Sequence, residues 1–259
     1  MSARIEDRGD RLIIWNGNSE KRGALSPELY NCINEAVQQA NEKRIRAVIL
    51  TSEGDFFCAG GNLNILIERR GISEEARRGK VDELHDLVRG LRACPVPVIA
   101  AVEGGAAGAG LSLALACDFI VASKEAKFTA AYVKAGLVPD GGLTSAMARL
   151  LPRPLAMEMC LLGRPVMAGR FADLGAVNRL CPPGNAMLEA MAIADTLVEG
   201  PRQAQSVIRG LVADAYETTE AAQLDAERDA MAAAAGRDEA AEGIAAFVEK
   251  RKPNYRSGN

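Results

Sequence analysis

Along the first two hundred residues, short runs of β-branched and aliphatic residues alternate with segments whose apolar positions recur every three or four residues. Leu12-Ile13-Ile14-Trp15, Ala47-Val48-Ile49-Leu50, residues 96–102 and Phe119-Ile120-Val121 are of the first kind and predict strands. The second kind opens at Ser26-Pro27-Glu28, a capping residue followed by proline at the first helical position. Leu29, Ile33, Ala36, Val37 and Ala40 then fall on one face. Further helices are predicted over 74–91 and, fully buried, over 111–117. Strands separated by helices predict parallel pairing through crossover connections.

After about Gly200 the strand pattern stops. Residues 201–215, 219–235 and 238–250 read as three alanine-rich helices whose apolar faces need a covering surface, either the core or another subunit. The pattern divides the chain into an α/β core over 1–200 and a helical region over 201–259. The tail, 252–259, is expected to be mobile.

Composition narrows the function. A chain of 259 residues with 48% hydrophobic and 25% charged residues suits a globular protein with a substantial core. Lysine and arginine number 31 against 34 acidic residues, a net charge of −3, which leaves no footprint for nucleic acid. The N-terminal MSARIEDRGDR lacks the apolar centre of a signal peptide, and the uncharged run 104–117 is too short and glycine-rich to span a membrane. Cysteines 32, 58, 94, 117, 160 and 181 form no CxxC pair, so a reduced, cytoplasmic protein is expected. The single histidine, His85, sits in a helical repeat and reads most simply as half-buried. One histidine excludes a histidine-rich metal site, and no metal is expected. Unless His85 serves, it also removes Ser-His-Asp and Cys-His catalysis, leaving acid–base work to carboxylates, tyrosines or lysines.

The stretch Glu103-Gly104-Gly105-Ala106-Ala107-Gly108-Ala109-Gly110 turns directly into a helix. Such a turn offers backbone N–H groups and a helix dipole to an anion, or simply lets backbone segments pack closely. No Walker A loop occurs, and Leu113 occupies the third glycine position of a G-x-G-x-x-G fingerprint, so a dinucleotide site has weak support. A second strand-to-helix turn, Asp55-Phe56-Phe57-Cys58-Ala59-Gly60-Gly61-Asn62-Leu63, offers a second donor. Two backbone donors aimed at one carbonyl oxygen form an oxyanion hole, suited to charge that develops during reaction.

Six segments in order resemble the crotonase superfamily, the enoyl-CoA hydratases and isomerases, over essentially the whole chain. They are Glu20-Lys21-Arg22-Gly23-Ala24-Leu25; Phe57 to Leu63; Pro97-Val98-Ile99-Ala100-Ala101-Val102-Glu103-Gly104; Ala107-Gly108-Ala109-Gly110 with Ala116-Cys117-Asp118; Gly136-Leu137-Val138-Pro139-Asp140-Gly141-Gly142; and Ala246-Phe247-Val248-Glu249-Lys250-Arg251. The resemblance implies a spiral ββα core with a C-terminal helical region that assembles trimers, commonly paired as hexamers. It implies an acyl-CoA substrate with no further cofactor, and oxyanion donors at the N–H groups of Gly61 and Ala109. Alanine at 109, where the family commonly has glycine, is acceptable if its φ is negative. Coenzyme contacts are implied at Arg22, Ala24, Ala59, Asn62, Leu63, Gly108 and Ser112. Phe247 and Lys250 are expected to complete the coenzyme pocket of a neighbouring subunit.

The departures are informative. Where a typical hydratase carries its two glutamates, this chain has Ser112 and Tyr132, neither of them a base near neutral pH. Ser112 reads equally as a small helix residue, and Tyr132 as a pocket wall or a hydrogen-bond donor. Asn64 stands where many relatives have a lysine near the coenzyme phosphates, and Glu68, beside two arginines, reads as a solvated face. Asp140 in Pro-Asp-Gly is good turn chemistry. It also matches an aspartate of acyl-CoA isomerases and of a dehalogenase branch that uses it as a nucleophile. The expectation is an enoyl-CoA isomerase with Asp140 as acid and base. The alternatives are a hydratase with rearranged acid–base groups, a hydrolase, and a catalytically silent acyl-CoA binder.

Overall fold

The computed structural model describes residues 2–256. In chain order its elements are β1 (Arg4–Asp7), β2 (Arg11–Asn16), α1 (Pro27–Gln39), β3 (Ala47–Ser52), α2 (Leu63–Arg69), α3 (Glu74–Arg92) and β4 (Val98–Val102). There follow β5 (Gly105–Ala107), α4 (Ala109–Ala114), β6 (Phe119–Ser123), β7 (Lys127–Thr129), α5 (Leu143–Leu150), α6 (Arg153–Leu162), β8 (Val166–Met167), α7 (Ala168–Asp173) and β9 (Arg179–Cys181). Four helices close the chain: α8 (Ala186–Val198), α9 (Arg202–Asp214), α10 (Glu220–Ala235) and α11 (Asp238–Val248).

The main sheet has the order β1-β2-β3-β4-β6-β9. Every pair from β2 to β9 is parallel; only β1 is antiparallel to its neighbour. Register brings Ile13, Ile49 and Ile99 into one row and Ile14, Leu50 and Ala100 into the next. Alternation along each strand sends these rows to opposite faces. Leu12, Ile14, Val48, Leu50 and Val102 join the large core formed with α1 and α3. Ile13, Ile49, Ile99 and Val121 pack instead on Ala186, Ala190, Ala194 and Val198 of α8. Both faces are covered, which explains the unbroken apolar runs of the strands.

Helix α1 starts where its cap predicts: the Ser26 side chain accepts the Leu29 N–H, worth about 1 kcal/mol. The helix expected over 111–117 begins two residues earlier, at Ala109, and ends at Ala114. The strand expected from residue 96 begins at Val98. A second sheet, β5-β7-β8, lies beyond β4 and carries the chain away from the main sheet. The six cysteines are unpaired; Cys58, Cys94 and Cys181 are buried, and Cys32, Cys117 and Cys160 half-buried. His85 is half-buried in α3. Among the described residues no helix is long and apolar enough to cross a membrane.

Helices α9 to α11 leave large apolar side chains uncovered, among them Ile208 (57% exposed), Met231 (71%) and Phe247 (86%). The expected mobility of the tail is corrected for residues 252–256. Lys252 pairs with Glu199, the Asn254 N–H donates to Glu242, Arg46 donates to the Tyr255 carbonyl, and Arg256 reaches Asp10. Polar groups along the tail find partners at the end of α8, on α11 and in the β1–β2 turn, which a reading of periodicity does not register. Residues 257–259 lie outside the described residues.

Candidate active site

Two loops leave the carboxyl ends of β3 and β4, where open parallel sheets place their ligands. They are stitched together. The Phe57 N–H donates to the carbonyls of Glu103 (3.0 Å) and Gly105 (3.1 Å), and the Ala107 N–H donates to Cys58 O at 2.9 Å. A Cβ on Gly60 would fall 2.7 Å from Ala107 O and 3.0 Å from the Ala109 nitrogen, so the turn before Gly61 lies against the start of α4. On its other side the Leu25 N–H donates to Gly60 O (2.8 Å) and the Ala59 N–H to Arg22 O (2.9 Å).

Ala109 is the first residue of α4, so its N–H has no acceptor within the helix. Among the described residues neither the Gly61 nor the Ala109 N–H donates to any protein acceptor. Gly108 precedes Ala109 with φ 53° and ψ −130°, a conformation that only glycine adopts readily. Ala109 itself keeps a negative φ, as its side chain requires. The glycine-rich stretch packs the two loops closely and leaves the Ala109 N–H without a protein acceptor.

The second half of the site comes from α4 and the segment after β7. Tyr132, in the 3-10 turn Ala131–Ala135, donates its hydroxyl to Asp140 Oδ1 at 2.7 Å. The buried Ser112 hydroxyl donates to the Asp140 main-chain carbonyl at 3.0 Å and lies 3.4 Å from the Tyr132 oxygen. Asp140 is thus a turn residue and a member of this cluster at once. Burial, with the Asp140 charge beside it, pushes the Tyr132 phenol far above its ordinary value, so it stays a neutral donor. The Tyr132 ring passes 3.9 Å from where a Cβ on Gly108 would sit. That proximity sets the carboxylate cluster beside the two glycine-bearing loops.

Two cavities flank Gly60 and Gly61. One, of about 430 Å³, is lined by Leu25, Tyr30, Gly61, Asn62, Leu66 and Arg69, among others. The other, of about 610 Å³, is lined by Arg22, Phe56, Ala59, Ala107, Lys127 and Thr129, among others. In the second the Arg22 guanidinium stacks 4.0 Å above the Phe56 ring.

The expected contact residues distribute unevenly. Arg22 and Ala59 face the second cavity and Gly61 and Asn62 the first, Asn62 also capping α2 by accepting the Asn64 N–H. Ala24 is buried and its carbonyl accepts the Asn18 amide, while Leu63 and Glu68 are exposed on α2. Asp140, Tyr132 and Ser112 line neither cavity. Phe247 and Lys250 lie at the end of α11 and line neither cavity of their own chain.

Sequence reasoning missed Tyr30. It lines the first cavity, and burial raises its phenol to about 12, with Arg69 opposing and the Asp140 charge adding to the rise. Its place in α1, between Leu29 and Ile33, gave it the look of a helix flank. Lys127, which lines the second cavity with Arg22, was missed for a different reason: it sits in a three-residue strand too short to show a pattern.

Comparison with known proteins finds relatives over nearly the whole chain. A family profile described as enoyl-CoA hydratase/isomerase matches residues 16–258. The chain is 32% identical to an enoyl-CoA hydratase of Mycobacterium tuberculosis, over 98% of this chain and 96% of the other. It is 33% identical to the 1,2-epoxyphenylacetyl-CoA isomerase of Escherichia coli, over 91% of each. The crystal structure of an enoyl-CoA hydratase from Polaromonas sp. JS666 superposes with a TM-score of 0.95 at 43% identity, covering 98% of this chain and 99% of that one. With the fold and nearly the full length matched, the chain belongs to the enoyl-CoA hydratase/isomerase family of the crotonase superfamily.

Proposed function

We propose that this acyl-CoA enzyme is an enoyl-CoA isomerase in which Asp140 moves a proton along the acyl chain. The observation that carries this reading is the hydrogen bond from Tyr132 to Asp140. At the two positions where the resemblance places a hydratase's glutamates, this chain has hydroxyls, and both are committed to the same aspartate residue. One carboxylate remains, and one is what a proton shuttle needs.

The coenzyme lies along the second cavity, with Arg22, Lys127 and Ala59 on its wall; contacts from Ala24, Asn62, Leu63, Gly108 and Ser112, which do not line it, rest on the resemblance alone. The thioester oxygen sits between the N–H groups of Gly61 and Ala109. The Asp140 carboxylate takes a proton from the α-carbon of a 3-enoyl chain. The electron pair of that C–H bond moves into the thioester, giving a dienolate whose oxygen the two N–H groups hold. Asp140 then returns the proton to the γ-carbon as the double bond moves to the 2,3 position. The proton count closes and no oxidant is needed. Each oxyanion donor is worth about 10²–10³ in rate, and the positioned acid–base about 10²–10⁴.

Incubation with a 3-enoyl-CoA in deuterium oxide tests the reading. The parent enzyme isomerises the chain and exchanges carbon-bound hydrogen. Asp140→Asn loses both by about 10²–10⁴; an Asn variant as fast as the parent rejects it.

A second reading, hydration, is favoured by the hydratase descriptions of the Mycobacterium tuberculosis and Polaromonas relatives. Oxygen from labelled water appearing at the β-carbon of a 2-enoyl-CoA decides for it. The uncovered faces of α9 to α11 support assembly as trimers or paired trimers, with Phe247 and Lys250 meeting the coenzyme of a neighbour.

A further inference from the structure

We propose that the cavity beside Gly61 is an acyl subsite for chains whose distal end carries oxygen, with Tyr30 and Arg69 as its donors. The inference rests on the acyl-CoA reading of the site but not on which reaction follows. On the proposed function the coenzyme side is the cavity of Arg22 and Lys127, where Arg22 stacks on Phe56 and Asp55 and Glu125 balance the two cations. The cavity on the far side of the turn is left for the acyl chain. It starts at Gly61, where a Leu66 methyl lies 3.8 Å from the position a Cβ would take. The cavity reaches α3 at Glu83, and the adjoining Leu84 side chain lies 3.3 Å from where a Cβ on Gly141, one residue after Asp140, would sit.

The wall is not that of a hydrocarbon pocket. Leu25, Pro27, Ile65 and Leu66 supply apolar contact, but Asn31, Asn34, Tyr30 and Arg69 supply polar groups. The acidic residues at its rim are already engaged. Glu83 is paired with Lys80 at 2.6 Å and Asp86 with Arg89 at 2.6 Å, each along the exposed side of α3. Among the described residues Arg69 makes no ion pair and its guanidinium donates to no acceptor; the Tyr30 hydroxyl likewise has no hydrogen-bond partner. A phenol and a guanidinium facing one cavity offer six donor hydrogens and, at neutral pH, one acceptor oxygen. The matching ligand atom is an acceptor: a carboxylate against Arg69, or a neutral carbonyl or ether oxygen against Tyr30. A plain alkyl chain would cover these donors and leave them unpaired, the situation in which polar sites reject hydrocarbon analogues.

The test is calorimetric titration of the full-length enzyme with unreactive acyl-CoA thioethers of equal length. One ends in an alkyl group, one in a carboxylate and one in a methyl ether. The oxygenated compounds are expected to bind about tenfold or more tightly than the alkyl one. In Arg69→Leu the carboxylate-to-alkyl affinity ratio is expected to fall below about twofold, and Arg69→Lys to restore part of it. In Tyr30→Phe the ether-to-alkyl ratio falls in the same way. Equal or tighter binding of the alkyl compound, or a preference that survives both Arg69→Leu and Tyr30→Phe, overturns the inference while leaving the acyl-CoA reading intact. Failure of all three thioethers and of free coenzyme A to bind overturns both.

Discussion

The phenol of Tyr132 donates to Asp140 Oδ1 at 2.7 Å while its ring rests against Gly108, one residue before the Ala109 N–H. One side chain thereby spans the two halves of the site, the carboxylate proposed to move a proton and the amides proposed to hold charge. Removing the hydroxyl leaves the ring contact in place and one carboxylate oxygen without its donor. Hydrogen bonds to charged groups are worth about 1.5–3 kcal/mol, so Tyr132→Phe is expected to lower kcat about 10–10²-fold. Because the hydroxyl is not a coenzyme contact, the Kd for free coenzyme A is expected to change less than about twofold. Steady-state kinetics beside calorimetry check the split; a loss confined to KM contradicts the role.

Gly108 separates conformation from sterics. A Cβ there meets nothing closer than 3.9 Å, yet φ 53° with ψ −130° is closed to alanine. Gly108→Ala is therefore expected to relax the backbone by rotating the peptide that carries the Ala109 N–H. The strain is of order 1–3 kcal/mol, enough to lower the melting temperature by a few degrees in a chain of this size. The rate is expected to fall about 10²-fold, as for loss of one oxyanion donor. Thermal melts and turnover on one preparation measure both; parent-like turnover in a destabilised variant shows that the Ala109 N–H does not act.

Much of this was legible in the residues. Strands β2, β3, β4 and β6, helix α1 and the two glycine-bearing turns announce themselves through apolar runs, Ser26-Pro27 and glycine clusters, all of which act locally. The meeting of Ser112, Tyr132 and Asp140 was not written in any pattern. Spacings of 20 and 8 residues carry no periodicity, and only the resemblance put the three side by side. Tyr30 escaped because it lies on an amphipathic helix whose period it does not disturb. The second sheet escaped because two- and three-residue strands are set by their partners. The anchored tail escaped because its ion pairs join positions as far apart as Asp10 and Arg256.

The uncovered face of the C-terminal helices gives a prediction about assembly. Ile244, Phe247 and Val248 follow one another along the end of α11 and are 63, 86 and 74% exposed. A charge placed among them costs little in an isolated chain and a great deal in a dry interface. Phe247→Glu is expected to convert the assembly to monomers, read by light scattering after size exclusion. A rise in KM for acyl-CoA is expected beside it if, as proposed, Phe247 and Lys250 of a neighbour complete the coenzyme pocket. A parent protein that is monomeric at micromolar concentration contradicts the prediction outright.

The last prediction concerns acid. Arg251 donates to both carboxylate oxygens of Glu242, at 2.7 and 2.9 Å, and the Asn254 N–H donates to Oε1 at 2.6 Å. These bonds, those from Arg251 foremost, hold the Glu242 carboxyl down at about 2 from its ordinary 4.5. A group whose folded pKa is depressed stabilises the fold fully above its unfolded pKa, and that contribution fades as pH falls toward the folded value. The anchoring of residues 250–256 is therefore expected to be complete above about pH 5 and to weaken progressively from 4.5 toward 2. The pair is solvent-exposed, so the effect is local and screened by salt rather than a loss of the whole fold. Hydrogen exchange read on a C-terminal peptide is expected to show faster exchange in this window at low ionic strength. Glu242→Gln removes the charge at every pH and is expected to show the fast-exchanging tail already at pH 6, with little further change on acidification. If the parent and the variant exchange alike at pH 6, the carboxylate is not what holds the tail.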